Sequence, residues 1–522
     1  MLKAQVCVID FGSQYSQLLV RKTRELGFSC EITSPSSFSL DKSAHKAVIL
    51  SGGPDSVLKI SREEKDLYFN ILDELKEEKI PTLGVCFGFQ LLSLYYGGVV
   101  EKGIFGEYGQ TRVFKEKSEV AYTWPESFDV WMSHFDHVVK IPKGTKSILK
   151  TAGGVIAALK FDDANILALQ FHPEVHHTAH GSEILLSFYE EVAQIKKDWS
   201  ISNLQETILN DLPDLEGKKV LCAFSGGIDS FVAAALLSKK LSKDDLYCIY
   251  INNGLMRPQD ERHIEELKRE SNLNIEIIDA SDRFLNGLEG VFDPEKKRKI
   301  IGKLFIDCFE ERSNEIEKEK NINFHYLLQG TLYPDVIESH SPHSSGGKSS
   351  TIKSHHNVGG LPEKMKLKLL EPLRFLFKDE VRLLGENLGL HHHWIYRHPF
   401  PGPGLAVRIL GSINREDLEI ARLADEVLFS ELKNHNLYQM TWQALAVLLP
   451  IHSVGVKGDE RVYEKVICIR AVSSVDGMTA DATDFPSSFL KAVSSRMTAE
   501  IKGIVRVVYD LSSKPPATIE WE

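Results

Sequence analysis

The sequence predicts an α/β protein of several domains built on parallel sheets. Short apolar runs alternate with amphipathic stretches along most of the 522 residues, which is the pattern of successive βαβ units. Two of those runs feed straight into glycine-bearing turns followed by apolar helices, at Thr82 to Leu92 and at Val220 to Leu237. A chain of this length exceeds what one core supports, so two to four domains are expected.

Taken in order, Val6 to Asp10 reads as a first strand and Ser16 to Gly27 as a helix closed by glycine. Ala47 to Leu50 and Thr82 to Val85 read as buried strands, with the charged stretch Glu63 to Glu78 as the helix between them. From Phe105 to Gln170 the elements shorten and become strand-rich, ending in the apolar run Ile166 to Gln170. A helix over Ser182 to Trp199 is expected to close this domain, and the polar stretch Lys196 to Asn203 reads as the linker. The second domain reads as parallel strands at Val220 to Phe224, Leu246 to Ile251, Ile275 to Ile278 and Phe324 to Gln329, with helices such as Glu261 to Glu270 and Glu295 to Lys318. A third segment begins near the proline- and glycine-rich turn His398 to Gly404. Helices are expected there at Arg415 to Asn434 and Thr441 to Leu448, then strands at Val466 to Val472 and Ile504 to Tyr509.

The string Gly84-Val85-Cys86-Phe87-Gly88 has the form of a nucleophile elbow. Small residues on both sides allow a tight strand-to-helix turn that lifts the thiol from the sheet, with the Phe87 N–H aimed to stabilise an oxyanion. A thiol needs a base to become a nucleophilic thiolate, and Phe171-His172-Pro173-Glu174 supplies an imidazole with a carboxylate two residues on. Cys86, His172 and Glu174 are therefore the candidate triad. The turn Ser51-Gly52-Gly53-Pro54 offers further amides for the oxyanion hole.

Ser225-Gly226-Gly227-Ile228-Asp229-Ser230, followed by Phe231, reads as a phosphate-cradling turn between strand and helix. Paired glycines let backbone N–H groups approach an anion, the serines add donors, and the helix presents its positive end. Asp229 is placed to hold Mg2+ against the phosphates. The loop lacks the Lys-Ser/Thr pair of the Walker type.

Composition narrows the setting. Apolar content of 43% and charged content of 26% are those of a globular enzyme, and a net charge of −11 argues against a nucleic-acid backbone as partner. No run approaches the apolar length of a membrane span, and the start of the chain does not read as a leader. Seven cysteines without a Cys-x-x-Cys pair favour reduced thiols, so a cytoplasmic location is expected. Ser339 to Lys353, rich in Ser and Gly, reads as a mobile loop and a candidate active-site lid carrying Lys348 and Lys353. His391-His392-His393 points its rings in different directions and lacks the partners of a metal set.

The thiol elbow with its His and Glu resembles the class I glutamine amidotransferases, and the Ser225 to Ser230 loop resembles the loop of the N-type ATP pyrophosphatases. Further strings extend the likeness to the whole chain: Asp10 to Tyr15, Asp293 to Gly302, Gln329 to Asp335, Ile352 to Gly360, Arg397 to Gly404 and Lys514 to Glu522. Together they resemble the glutamine-hydrolysing GMP synthases. The resemblance implies a class I amidotransferase domain over 1–199, an adenine nucleotide alpha hydrolase-like ATP pyrophosphatase domain over 200–396, and a smaller α+β domain over 397–522 that binds XMP and dimerises. It implies Cys86, His172 and Glu174 as the catalytic set, with Gly53, Phe87 and Gln90 at the oxyanion and glutamine. It further implies Ser225, Gly226, Gly227, Ile228, Asp229, Ser230, Phe231 and Lys353 at ATP, and Arg298, Gln443, Asp459, Lys514 and Glu520 at XMP. Mg2+ accompanies ATP, no prosthetic group is implied, and the partners are XMP, ATP and glutamine or ammonia, with neither nucleic acid nor membrane and with a homodimer as the assembly.

Two positions depart from the family pattern. Phe135 stands where Gly is usual, a bulk that could narrow the glutamine pocket, and Asn252 replaces a frequent Asp. Two alternatives stay open at this point, a glutamine-dependent ligase of the NAD synthetase kind and a catalytically inactive homologue acting as a binding protein. The first lacks the C-terminal Lys-Pro-Pro string, and loss of Cys86, Asp229 or Lys353 would have signalled the second.

Overall fold

The computed structural model describes residues 4–116, 122–162, 165–340, 367–398, 400–474, 480–514 and 516–522, with the backbone alone for Ile104 and residues 337–340. The chain forms two compact units, Met1–Thr207 and Ile208–Glu522.

In the first unit, β1 (Val6–Ile9), β2 (Cys30–Thr33), β3 (Ala47–Leu50), β4 (Thr82–Val85), β5 (Val99–Lys115), β6 (Ser127–Lys140), β7 (Thr145–Thr151), β8 (Ile156–Phe161) and β9 (Ile166–Leu169) make one sheet of order β2-β1-β3-β4-β9-β8-β7-β5-β6. The half from β2 to β9 is parallel, and β8, β7, β5 and β6 extend it antiparallel. β1, β3, β4 and β9 are buried along their whole lengths, as covered parallel strands require. β6 instead alternates, its inward side chains running Phe128, Val130, Met132, His134, Asp136 and Val138. The helix Arg62–Glu77 opens with a complete capping box from Ser61 and Glu64.

The helix expected over Ser182 to Trp199 is shorter. It runs Gly181–Leu186 and continues as a wider turn over Ser187–Val192. Gln194 then takes a positive φ of 53°, and Asp198 and Trp199 donate their N–H groups to the Gly27 carbonyl. The Asp198 carboxylate also accepts from Ser29. The last residues of the predicted helix are thus a non-helical strap, tied to Gly27 by backbone hydrogen bonds and to Ser29 by the Asp198 carboxylate.

In the second unit, β10 (Lys219–Ala223), β11 (Leu246–Asn252), β12 (Asn274–Asp279), β13 (Phe324–Leu328) and β14 (Lys368–Leu370) form a fully parallel sheet of order β12-β11-β10-β13-β14. The order reverses beside β10, so the turn after β10 sits at a topological switch point, where open α/β sheets bind ligands. β15 (Gln443–Lys457), β16 (Glu460–Ser473), β17 (Asp481–Ala482) and β18 (Ile504–Asp510) build a second sheet, covered by the helices Arg415–Asn434 and Ser487–Glu500. One apolar core joins residues of both sheets, from Leu221 and Ile249 to Leu428, Ile467 and Phe489.

Thr441 to Leu448 corrects a second expectation, because it enters β15 and not a helix. Residues 443–448 are buried without alternation, and a continuous apolar run has no period that separates a core helix from a core strand. Pairing with β16 from Gln443↔Val472 onward decides it. Residues 341–353 of the expected lid, Lys348 and Lys353 included, lie outside the described residues. Among the described residues no helix is long and apolar enough to cross a membrane.

Candidate active site

The elbow forms where β4 ends. Cys86 adopts φ 51° and ψ −99°, between the strand and the helix Phe87–Tyr95. That positive φ costs energy for a side-chain-bearing residue and holds the thiol clear of the sheet. The flanking glycines are sterically required: a Cβ on Gly84 would lie 2.7 Å from the Gly88 carbonyl oxygen, and one on Gly88 would lie 2.4 Å from that of Leu50. Phe87, as the first helical residue, has no intrahelical partner for its N–H.

β9 lies beside β4 in the sheet, so its end carries His172 to Cys86. The Cys86 N–H donates to the Leu169 carbonyl at 2.8 Å, which locks the two strand ends together. His172 is 3% exposed. Its backbone N–H donates to Trp131 O at 3.1 Å, its carbonyl accepts from Thr178 Oγ1 at 2.6 Å, and the Tyr15 ring meets it edge-on at 4.9 Å. Nδ1 is 2.8 Å from Glu174 Oε1, so the carboxylate orients the ring. Burial pushes the imidazole toward its neutral form, but the Glu174 carboxylate and the hydrogen-bonded Cys86 sulfur outweigh it and hold the His172 pKa well above the usual histidine range.

The second glycine turn reaches the same place. A Cβ on Gly52 would fall 2.9 Å from His172 Cε1, and one on Gly53 would fall 3.2 Å from the Phe87 ring. Gln90 is buried one turn into the helix, and its Nε2 donates to Asp136 O at 2.7 Å and to Gln170 Oε1 at 3.2 Å. Phe135 is 36% exposed with the Lys102 ammonium 5.3 Å from its ring. A separate trio, Cys7, Glu31 and His45, has ligand atoms within 4.8 Å of one another. Both His45 ring nitrogens are engaged there, Nδ1 accepting from the Asp41 N–H and Nε2 lying 2.7 Å from Glu31 Oε1.

In the second unit the predicted loop follows β10. Gly226 has φ 72°, Gly227 caps the helix Ile228–Leu237, and Ser225, Gly227 and Ser230 tie the turn together through hydroxyl contacts of 3.1–3.2 Å. Phe231 is buried behind it, edge-on to Trp394. Asp229 faces Lys378, whose Nζ lies 2.7 and 2.6 Å from the two carboxylate oxygens. Lys378 opens the helix Lys378–Asn387, and no local string in the sequence had singled it out. Gly330 abuts the loop, since a Cβ there would lie 2.8 Å from the Asp229 carbonyl carbon. Asn252 Oδ1 accepts the Gly254 N–H at 3.0 Å, closing a turn in which an amide serves as well as a carboxylate.

Three of the residues expected at XMP gather around the segment 520–522. Glu520 accepts from Gln443 Nε2 at 2.8 Å and from Arg408 at 2.9 Å, and Arg298 donates to the Glu522 carbonyl and to Glu295. Two buried cations tie down this end of the chain: Lys297 reaches Glu522 at 2.6 Å, and Arg470 donates to Thr518 O at 3.1 Å. Lys514 pairs its backbone with Ala480. Asp459 is not brought to this group within the chain. It lies exposed in the tight turn joining β15 to β16, while Gln443 opens β15 at the other end.

Comparison with known proteins agrees with both halves. Residues 7–192 match the model of the class-I glutamine amidotransferases, and residues 430–521 match that of the GMP synthase C terminal domain. The chain is 47% identical over 521 residues to the GMP synthase [glutamine-hydrolyzing] of Thermosipho africanus, spanning 99% of each. It is 48% identical over 529 residues to that of Chlorobium luteolum, again spanning 99% of each, and 48% identical over 519 residues to that of Thermotoga maritima, covering 99% of this chain and 100% of the relative. With an amidotransferase elbow, a glycine loop at a sheet switch point and full-length similarity of this degree, the chain belongs to the glutamine-hydrolysing GMP synthase family.

Proposed function

We propose that the chain aminates XMP to GMP with ATP, using ammonia released from glutamine. The Cys86 thiolate attacks the carboxamide carbon of glutamine, His172 passes its proton to the departing nitrogen, and ammonia leaves a γ-glutamyl thioester. Water, deprotonated by His172, then attacks the thioester carbon, giving glutamate and restoring the thiol. Glu174 keeps Nδ1 bound so that Nε2 faces the sulfur. The N–H of Phe87 and the Gly53 turn stabilise the oxyanion of each tetrahedral intermediate, and Gln90 braces the glutamine side of the elbow. The geometry of Cys86, His172 and Glu174 is the observation that carries the proposal.

At the second site, O2 of XMP attacks the α-phosphorus of ATP and pyrophosphate departs. Ammonia then displaces AMP from the adenylylated carbon and leaves GMP. Residues 225–231 cradle the pyrophosphate portion with backbone N–H groups and hydroxyls, and Lys378, paired with Asp229 beside the loop, supplies a cation next to the phosphates. Mg2+, when bound with ATP, neutralises charge on the departing pyrophosphate. Asp229 and the loop hydroxyls are hard oxygen donors of the kind that ion takes. Lys353 is assigned to the phosphates by motif alone. Arg298 and Lys514 suit the 5′-phosphate of XMP, and Gln443 and Glu520 its base and ribose. Asp459, remote within one chain, is assigned to XMP by motif alone.

We further place the enzyme in the cytosol, in keeping with seven free thiols. We assign a homodimer contact to the C-terminal sheet, where Ile451, Val456 and Tyr463 expose 53%, 73% and 68% of their surface. A NAD synthetase-like ligase is disfavoured by the full-length relatives. The deciding experiment uses Cys86→Ala: GMP formation with glutamine is expected to vanish while formation with ammonium salt at alkaline pH persists. Retained use of glutamine would reject Cys86 as nucleophile, and loss with ammonia as well would reject separable sites.

A further inference from the structure

Gln170 is fully buried at the end of β9, two residues before His172. Its side chain lies between the catalytic thiol and the Gln90 amide: Nε2 is 3.9 Å from Cys86 Sγ, and Oε1 accepts from Gln90 Nε2 at 3.2 Å. Chemistry fixes this orientation. The Asp136 carbonyl can only accept, so Gln90 must present Nε2 to it. The same Nε2 then faces Gln170, which must answer with Oε1, and the Gln170 NH2 is left pointing at the sulfur. Among the described residues the sulfur also meets the Ser133 carbonyl at 3.6 Å, which accepts from a thiol but repels a thiolate, and His172.

We propose that Gln170 is a positioning residue that stabilises the Cys86 thiolate through an amide N–H donor held by the Gln90–Asp136 relay. The inference rests on Cys86 being the nucleophile. A donor aimed at a sulfur in a water-poor site favours the charged form over the neutral one, because the contact shortens and strengthens once the sulfur is an anion. The relay also opposes rotation of the amide, since a flip would place Oε1 against the thiolate and the Gln170 NH2 against the Gln90 NH2. Gln170 touches no substrate atom in this role and acts through the thiol.

The test compares the full-length protein with Gln170→Glu and Gln170→Leu. The readout is the pH dependence of iodoacetamide alkylation at Cys86, followed on its own peptide by mass spectrometry, beside glutamine- and ammonia-dependent GMP formation. Glu keeps the volume and the acceptor for Gln90 but sets a carboxylate oxygen against the sulfur. Leu removes the donor and leaves Gln90 satisfied by Asp136. The alkylation midpoint is expected to rise by about one pH unit in Leu and further in Glu, which lowers the thiolate fraction below the midpoint by about tenfold per unit. Glutamine-dependent turnover falls in the same order and ammonia-dependent turnover is kept. An unchanged midpoint, even with a uniformly lower rate, overturns the proposal and leaves Gln170 a packing residue. If Leu does not fold, Glu decides by the same criterion. Cys86→Ala, assayed alongside, separates the two failures: persistent glutamine use there defeats the nucleophile assignment itself.

Discussion

Glu174→Gln removes one charge from the pair with His172 while keeping an acceptor at Nδ1. The pair is fully enclosed, with side-chain exposures of 3% for His172 and 0% for Glu174 and a contact of 2.8 Å, so solvent screening is small. Taking the charge centres as ~4 Å apart at an effective dielectric of ~20 gives ~4 kcal/mol for the charged pair. The retained hydrogen bond offsets ~1–2 kcal/mol of that. The remaining ~2–3 kcal/mol predicts a drop of roughly 30- to 150-fold in kcat/KM for glutamine. The pH profile has a definite sign. The native imidazole, with its pKa raised, is charged at neutral pH and loses that charge only as pH climbs through the raised value. Without the Glu174 charge, burial is opposed by the Cys86 sulfur alone, so the variant imidazole loses its proton at a lower pH than the native one and the profile shifts to lower pH. Glutaminase rates measured from about pH 6 to about pH 9, with ammonia-dependent GMP formation as the control, check this. A loss below threefold with an unmoved profile would falsify the orienting role of Glu174.

Asp229→Asn is expected to abolish pyrophosphate release from XMP and ATP even with ammonia supplied, because the anionic ligand is gone, while glutamine hydrolysis survives; near-parental pyrophosphate release rejects the assignment. Gly52→Ala puts a methyl 2.9 Å from His172 Cε1 and is expected to shift the ring by a fraction of an ångström, lowering glutaminase activity roughly tenfold to 100-fold with ammonia use intact. Unaltered glutaminase kinetics would show that the loop yields. Asp425→Ala leaves the buried guanidinium groups of Arg257 and Arg408, 3.6 and 3.4 Å from the carboxylate, without their shared anion. It is expected to cost ~3–5 kcal/mol of stability by denaturant titration, and a change under ~1 kcal/mol would mean that Asp260 and Glu520 suffice.

The elements that were legible from sequence are those whose signal is local. Cys86 and residues 225–231 announce themselves because a strand, a small-residue turn and a helix follow one another within a dozen positions, and the structure forms both turns as expected. Lys378 and Gln170 were not legible. Each acquires its meaning from a partner 149 or 84 residues away, Asp229 or Cys86, and nothing nearby in the sequence distinguishes Lys378 from a solvated lysine. Residues 441–448 misled for a different reason: Ala and Leu favour a helix intrinsically, and tertiary pairing with β16 overrides that preference. The short β14 was missed because three residues carry too little periodicity to read.

The chain leaves the elbow after Cys86 and returns at His172 only after traversing β5 to β8, yet the spacing between thiol and imidazole is set by the pairing of β4 with β9, in the register Val85↔Leu169. Separation along the sequence is therefore decoupled from separation in space. Insertions at the turn between β7 and β8, where Gly154 stands open with φ 81° and nothing near it, lengthen the excursion, and deletions there shorten it, without displacing either catalytic group. A slip of a single residue in β9 is another matter. It would turn every side chain of that strand to the opposite face and carry the imidazole away from the sulfur, so in this chain the loops of the excursion are tolerant of length change and the four-residue strand that ends it is not.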